Sequence, residues 1–544
     1  MELPEQRYDV VVAGAGHNGL VAACYLAQAG LSVLVLERNP EPGGATRSAF
    51  AFEGVSAKLS IYSYLVSLFP QKIIDDLGLG LRLKSRRTAS YTPTFQDGAF
   101  TELLLVNDAP DKNREAFVSL TGGESDHRAY LKLLTMQEQL ASAVWPSLLE
   151  PLVSKEDLLG GPRGLDTRVR QAFVEEPLGV LLEDAIANDA ARGLVFTDAK
   201  IGVSTYPRDP SLLQNRCFLY HVIGRGTGEW RVPEGGMGSL VNELERVARA
   251  TGKVKLCPGS PVLSIQTDSS GATVAFSHKD EEREAEARFV LCNASARELG
   301  RLVGAPVGAE TVDEGAGFKV NLLLKKLPRL RSKKYSPEEA FAGTFHLDEG
   351  YEQMQLAYES AKAGDMPENP PGETYCHTLT DPSILSPELR GRGFHTLTLF
   401  GLDMPYRLFE KDNERAREAA LQRYLAGLNQ YLDEPIEECL AEDARGKPCM
   451  EAMSALDLER KIHLPKGNIF HGDLSWPYAE TEEEVGQWGV ETPFPNVFLC
   501  GSSARRGGAV SGIPGHNAAQ KVLTEIHGRR GTNTARLPKP STQA

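Results

Sequence analysis

No run of about twenty uninterrupted apolar residues occurs, so the sequence predicts no membrane-spanning helix and leaves only peripheral contact with a bilayer open. Cysteine is sparse. The eight (Cys24, Cys217, Cys257, Cys292, Cys376, Cys439, Cys449 and Cys500) form no CxxC pair and meet no histidine cluster at zinc-ligand spacing, which predicts neither a disulfide framework nor a metal site. They read as small buried hydrophobes in a reducing compartment, and the cytoplasm is the expected location. Positive charge is short as well: 59 Lys and Arg against 73 Asp and Glu leave −14, whereas a duplex-binding surface must neutralise phosphates with many cations. Nucleic acid is not an expected partner. The first residues, MELPEQRYD, place acids ahead of any apolar run, unlike a secretory signal or a transit peptide. There is no internal repeat that would build a solenoid.

Glycine, by contrast, is plentiful at 52 residues, and its placement is informative. Residues 9–13, DVVVA, predict a strand; GAGHNG follows, then LVAACYLAQAG as a buried helix ended by Gly30, then a second buried strand over 31–37, LSVLVLE. This is a βαβ unit of about thirty residues carrying Gly14-x-Gly16-x-x-Gly19, with Glu37 closing the second strand. Gly14 turns the chain, Gly16 lets backbone approach a pyrophosphate, Gly19 lets helix and strand pack, and Glu37 accepts from ribose hydroxyls. The helix N-terminus adds N–H groups and a positive dipole end for the phosphates. A dinucleotide is the expected ligand.

Three further glycine-dense segments follow: Pro42-Gly43-Gly44-Ala45-Thr46-Arg47, Pro233 to Leu240 with the strand around Val262, and NVFLCGSSARRGGAVSGIPGHNAAQ near the C-terminus. Arg38 and Arg47 flank the first and are placed to meet phosphate or a flavin oxygen. Glycine turns this far apart in sequence point to one long cofactor touched at several places. Between them the pattern turns helical from about residue 89 to 220, with helices over 125–145 and, interrupted at Pro177, 169–186. Strands are expected within 253–268, 272–294 and 394–401, helices over 240–250 and 412–432, and a flexible tail over 531–544.

These motifs resemble the FAD-dependent phytoene desaturase and amine oxidase superfamily, and more closely its carotenoid-desaturase-like branch, which includes pyridine-nucleotide-disulfide-oxidoreductase-like flavoproteins. SAKLSIYSYLVSLFPQKIIDDLGLGL, KGNIFHGDL and CGSSARRGGAVSGIPGHNAA carry the likeness through the chain. The resemblance implies an α/β fold, in which a Rossmann-type, glutathione-reductase-like FAD domain from 1–88, 222–300 and 455–530 is interleaved with an α+β substrate domain from 89–221 and 301–454. By position it implies Gly14, Gly16 and Gly19 at the FAD pyrophosphate, Glu37 at the adenosine ribose, and Gly44 and Arg47 along the pyrophosphate and ribityl chain. Val262 would hold adenine through its backbone, Gly501 and Ser502 the phosphate and ribityl region, and Val510, Ser511, Gly512 and Ile513 would lie under the isoalloxazine.

The sequence departs from the branch at Ala45, where an Arg often follows the glycine pair, and at Ala504-Arg505-Arg506-Gly507-Gly508, where the branch commonly reads Thr-His-Pro-Gly-Gly. Two arginines beside a flavin predict a substrate with a polar or acidic head. No Ser-Gly-Gly-Cys-Tyr stretch is present, so the FAD is expected to be non-covalent. His471, Tyr64, Arg505 and Arg506 are the candidate catalytic side chains. The expected reaction is dehydrogenation of a C–C bond in a largely apolar, isoprenoid or polar-headed small molecule by hydride transfer to flavin N5, with oxygen or a quinone as acceptor. An amine oxidase acting on C–N bonds and a catalytically silent flavoprotein are the alternatives. Oligomerisation is left open. At about 150 residues per domain the length alone allows three or four units, but contacts recurring from Gly14 to Gly515 favour two interleaved ones.

Overall fold

The computed structural model describes residues 6–161, 164–305 and 314–534. Two seven-stranded sheets organise them. In the first, β1 (Arg7–Ala13) leads through the helix α1 (His17–Gln28) to β2 (Val33–Leu36), which lies parallel to β1 with Val10 opposite Val33 and Ala13 opposite Leu36. The valines and leucines of both strands are closed off from water, as a parallel sheet covered on both faces requires. α1 packs against the helices Gly238–Ala250 and Ile513–Thr534. Gly515 permits the second approach, since a Cβ there would stand 2.1 Å from the Asn18 carbonyl oxygen.

Val254–Cys257 extends the sheet beyond β2, and Glu281–Cys292 extends it beyond β1. The early part of that long strand closes an antiparallel meander with Val262–Thr267 and Ala272–His278, while Val290–Cys292 also pairs in parallel with Val497–Leu499. Five parallel strands therefore end at one edge, at Ala13, Leu36, Cys257, Cys292 and Leu499, the edge at which open α/β sheets bind ligands. The second sheet is mainly antiparallel and runs Met450–Met453, Phe318–Leu324, His395–Gly401, Gly372–Tyr375, Thr344–Leu347, Thr88–Gln96, Ala99–Val106. Helices from 110–222 pack around a separate apolar core that includes Phe117, Phe173, Phe196 and Phe218.

The helical reading from residue 89 fails at its start, because Thr88–Gln96 and Ala99–Val106 form a hairpin. Its turn is Asp97-Gly98, both left-handed at φ 50° and 77°, the backbone that suits a two-residue hairpin connection. The Asp-Gly signal was present, but Pro93, which cannot donate to a ladder, disguised the first strand. The expected helix over 169–186 is divided into Thr167–Arg170, a wider turn at Gln171–Glu175 and Leu178–Ala185, with Pro177 at the break. The terminal helix runs through Thr534, so residues 531–534 are helical and not a tail; 535–544 lie outside the described residues. Among the described residues no helix is long and apolar enough to cross a membrane.

Candidate active site

The cradle is built where β1 ends. Gly14 adopts φ 104° and donates its N–H to the Leu36 carbonyl at 2.7 Å, turning the chain into α1. Gly19 lies so close to this turn that a Cβ would meet the Gly14 oxygen at 2.3 Å. No acid occupies the first turn of α1, so its positive end is uncompensated. Glu37 is 6% exposed; its Oε2 accepts from the Ala15 N–H and its Oε1 from the Asn39 N–H, both at 2.8 Å. A carboxylate offers about four acceptor positions, so two remain for a ligand's hydroxyls.

A second loop lies alongside: Gly43 donates to the Ala15 carbonyl at 2.8 Å and bridges to Gly16, and the Thr46 hydroxyl sits 3.1 Å from His17 Nδ1. A third arrives from Val497–Leu499. Asn293, directly after the long strand, ties the first and third together, since its Nδ2 donates to the Gly14 oxygen at 3.2 Å and a Cβ on Gly501 would come 2.7 Å from its carbonyl.

These loops border a cleft of about 1690 Å³ of empty space, part of it open to solvent. Gly14, Gly16, Glu37, Arg38, Gly44, Val262, Ser502 and Val510 line it. Toward the second sheet its walls are Tyr62, Tyr64, Ile201, Trp230, Phe400 and His471. Close backbone approaches at the glycines, a helix N-terminus without an acid in its first turn and a carboxylate with acceptor positions to spare fit a flavin dinucleotide.

Other candidates lie behind the wall. Gly19 and Gly501 act through packing, and Gly512 abuts Phe69 and Ile73. Ser511 and Ile513 are buried without lining the cleft, and Arg47 pairs with Glu41 at 2.9 Å instead of facing inward. Arg38, which does line the cleft, is drawn to Glu298 at 3.3 Å.

Arg505 and Arg506 require a correction, because neither lines the cleft. Arg505 is held by Glu480 at 2.7 Å, Glu484 at 2.5 Å and the carbonyls of Trp476 and Tyr478. Arg506, 1% exposed, donates to the carbonyls of Ser147, Glu150 and Trp488 at 2.7–3.0 Å, and burial lowers its guanidinium to about 10. Each cation stitches the glycine turn to neighbouring loops, and neither places its charge in the cleft. Arg506→Met is expected to keep the visible flavin spectrum while lowering stability by about 1.5–3 kcal/mol, the worth of hydrogen bonds to a charged group. Denaturant unfolding alongside the absorbance spectrum checks both halves.

His471 and Tyr64 do line the cleft, but neither is a ready base. Burial lowers His471 to about 4, and its Nδ1 is buried without a hydrogen-bond partner. Burial, reinforced by the nearby Glu373, raises Tyr64 well above the usual phenol range. At neutral pH both are therefore uncharged. The pH profile of flavin reduction is expected to keep its shape in His471→Asn between about pH 5 and 8, well above the folded-state titration of this histidine. Loss of an inflection near neutrality would contradict that assignment. Sequence reading also missed Asn293, His17, Trp230 and Phe400. The first two carried a usable signal, a polar residue after a strand end and a histidine inside the glycine motif itself.

Residues 19–523 match the family described as flavin containing amine oxidoreductase. The chain belongs to that family. It is 48% identical over 557 residues to one of the subunits of limonene dehydrogenase from Castellaniella defragrans, covering 95% of each chain. It is 44% identical over 540 residues to an uncharacterized protein of Mycobacterium tuberculosis, covering 97% of this chain and 99% of the relative. Putrescine oxidase bound to putrescine shares the fold, with a TM-score of 0.57 at 19% identity over 96% of this chain and 100% of its own. The protein is an FAD-dependent oxidoreductase, in keeping with the cradle and with the resemblance that the glycine motifs carried.

Proposed function

We propose that this enzyme dehydrogenates an apolar, isoprenoid-type molecule at a C–C bond, with FAD bound non-covalently. The observation that carries the reading is the distribution of charge in the cleft. Glu37 and Glu298 are the only carboxylates that line it among the described residues, and Glu298 is already paired with Arg38 and Arg301. The end facing the second sheet offers aromatic and aliphatic side chains, with no acid to hold an ammonium group. With Arg505 and Arg506 turned away, the reason to expect an acidic head on the substrate is also gone. The name of the relative from Castellaniella, part of a limonene dehydrogenase, supports the same substrate class.

FAD supplies a two-electron acceptor that takes hydride at N5. The chain's own task is to hold a C–H bond in place and keep water out, and the apolar wall does both. No cysteine lines the cleft among the described residues, which favours non-covalent attachment. We assign the cofactor to 1–88, 222–300 and 455–530 and the substrate domain to 89–221 and 301–454, with the wall shared between them: Tyr62, Tyr64, Trp230 and His471 come from the first and Ile201 and Phe400 from the second.

The test is product mass. With a cyclic monoterpene and a soluble quinone as electron acceptor, the expected product is two hydrogens lighter than the substrate. Ammonia and an aldehyde formed from a diamine, with no monoterpene product, would overturn the reading in favour of C–N oxidation.

A further inference from the structure

A second cluster of ionisable groups lies away from the FAD cradle, in the second sheet. His346 on Thr344–Leu347 stands directly across from Glu373 on Gly372–Tyr375, and Glu349 follows His346 by three residues. The three are 4%, 4% and 2% exposed. One donor atom from each lies within 4.8 Å of the others, and His346 Nδ1 is 2.5 Å from Glu349 Oε2. Nitrogen and oxygen ligands sit about 2.0–2.2 Å from zinc, which places them up to roughly 4.4 Å apart, so small side-chain shifts would close this set on one ion.

One observation beyond the clustering points to a cation. Glu349 Oε1 is buried with no hydrogen-bond partner, although Thr197 is close enough to influence its carboxyl; the Thr197 hydroxyl instead donates to Glu373 at 3.4 Å. Asp198 and Arg86, both only half-buried, act on the group from its edge, and burial raises the Glu349 and Glu373 carboxyls well above the usual range, so without an ion they hold protons.

We propose that His346, Glu349 and Glu373 hold one divalent transition-metal ion of the zinc type. Burial keeps His346 neutral, the form that ligates, and imidazole with carboxylates suits zinc, manganese or iron(II). The Thr197 and Tyr375 hydroxyls on Glu373 are the outer hydrogen bonds that orient a ligating carboxylate. Tyr375 stacks on Tyr64 of the cleft wall at 4.6 Å between ring centroids, so the ion would steady the substrate end of the site from behind.

The test is elemental analysis of the full-length, FAD-loaded protein grown with added zinc, manganese and iron and purified without chelators. About one bound metal per chain is expected, falling at least ~tenfold in His346→Gln and in Glu349→Gln while FAD absorbance persists. If either variant does not fold, wild-type protein decides alone: stripping with dipicolinate should lower its melting temperature, and returning the metal should restore it. Wild type without stoichiometric metal and without a thermal response to zinc, manganese or iron(II) overturns the proposal and leaves shared protons as the compensation. Metal retained equally in both variants also overturns it.

Discussion

Replacing Gly19 with alanine is expected to weaken FAD retention at least ~tenfold, equivalent to about 1.4 kcal/mol of binding free energy. The added Cβ would meet the Gly14 carbonyl oxygen at 2.3 Å and two side-chain atoms of Asn293 at 3.1 and 3.3 Å. The nearest of these is backbone and cannot swing aside. α1 must then lift from the end of β1, carrying with it the helix N-terminus and Gly16, the groups we propose face the phosphates. Overpacking of this kind costs about 1–3 kcal/mol in stability as well. Gly30→Ala is the matched control. Gly30 has φ 89° but nothing within 4 Å of an added Cβ, so that variant should lose a little stability through backbone strain and keep its flavin. Equilibrium dialysis of FAD, read as flavin fluorescence, separates the two.

Lys200→Met is expected to destabilise the fold by about 3–5 kcal/mol, the usual cost of leaving one partner of a buried ion pair uncompensated. Lys200 and Asp403 have fully buried side chains 2.8 Å apart, and Lys200 also donates to the Thr205 carbonyl at 2.9 Å. Removing the ammonium strands Asp403, whose carboxyl burial already raises and Lys200 holds down. The double variant Lys200→Met, Asp403→Leu should recover much of the loss, because two apolar groups strand no charge. Lys72→Met, at the exposed pair with Asp76, should change stability by no more than about 0.5 kcal/mol. Denaturant midpoints with unchanged slopes check all three.

The FAD cradle was legible because its information is local. Gly14, Gly16, Gly19 and Glu37 are spaced by the geometry of one βαβ unit, and the fold then brings Gly43, Gly44 and Ser502 to the same strand ends. Direction was not legible. Arg505 and Arg506 are adjacent in sequence to glycines that do line the cleft, yet their side chains leave for carbonyls near residues 147–150 and 476–488, contacts that only the tertiary fold supplies. The same limit hid Asn293 and Phe400, whose roles depend on where separate strands end. It hid the His346 cluster too: Glu373 lies far from the His346–Glu349 pair along the chain, and only strand register sets it opposite.

The central claim is that one cleft holds FAD beside a wall suited to an apolar substrate. Its most direct test is anaerobic titration of the oxidised enzyme, followed by flavin absorbance. A cyclic monoterpene should bleach the flavin, a primary amine or diamine should leave it oxidised, and air or a quinone should then restore the colour. Bleaching by the amine but not by the hydrocarbon would contradict the account.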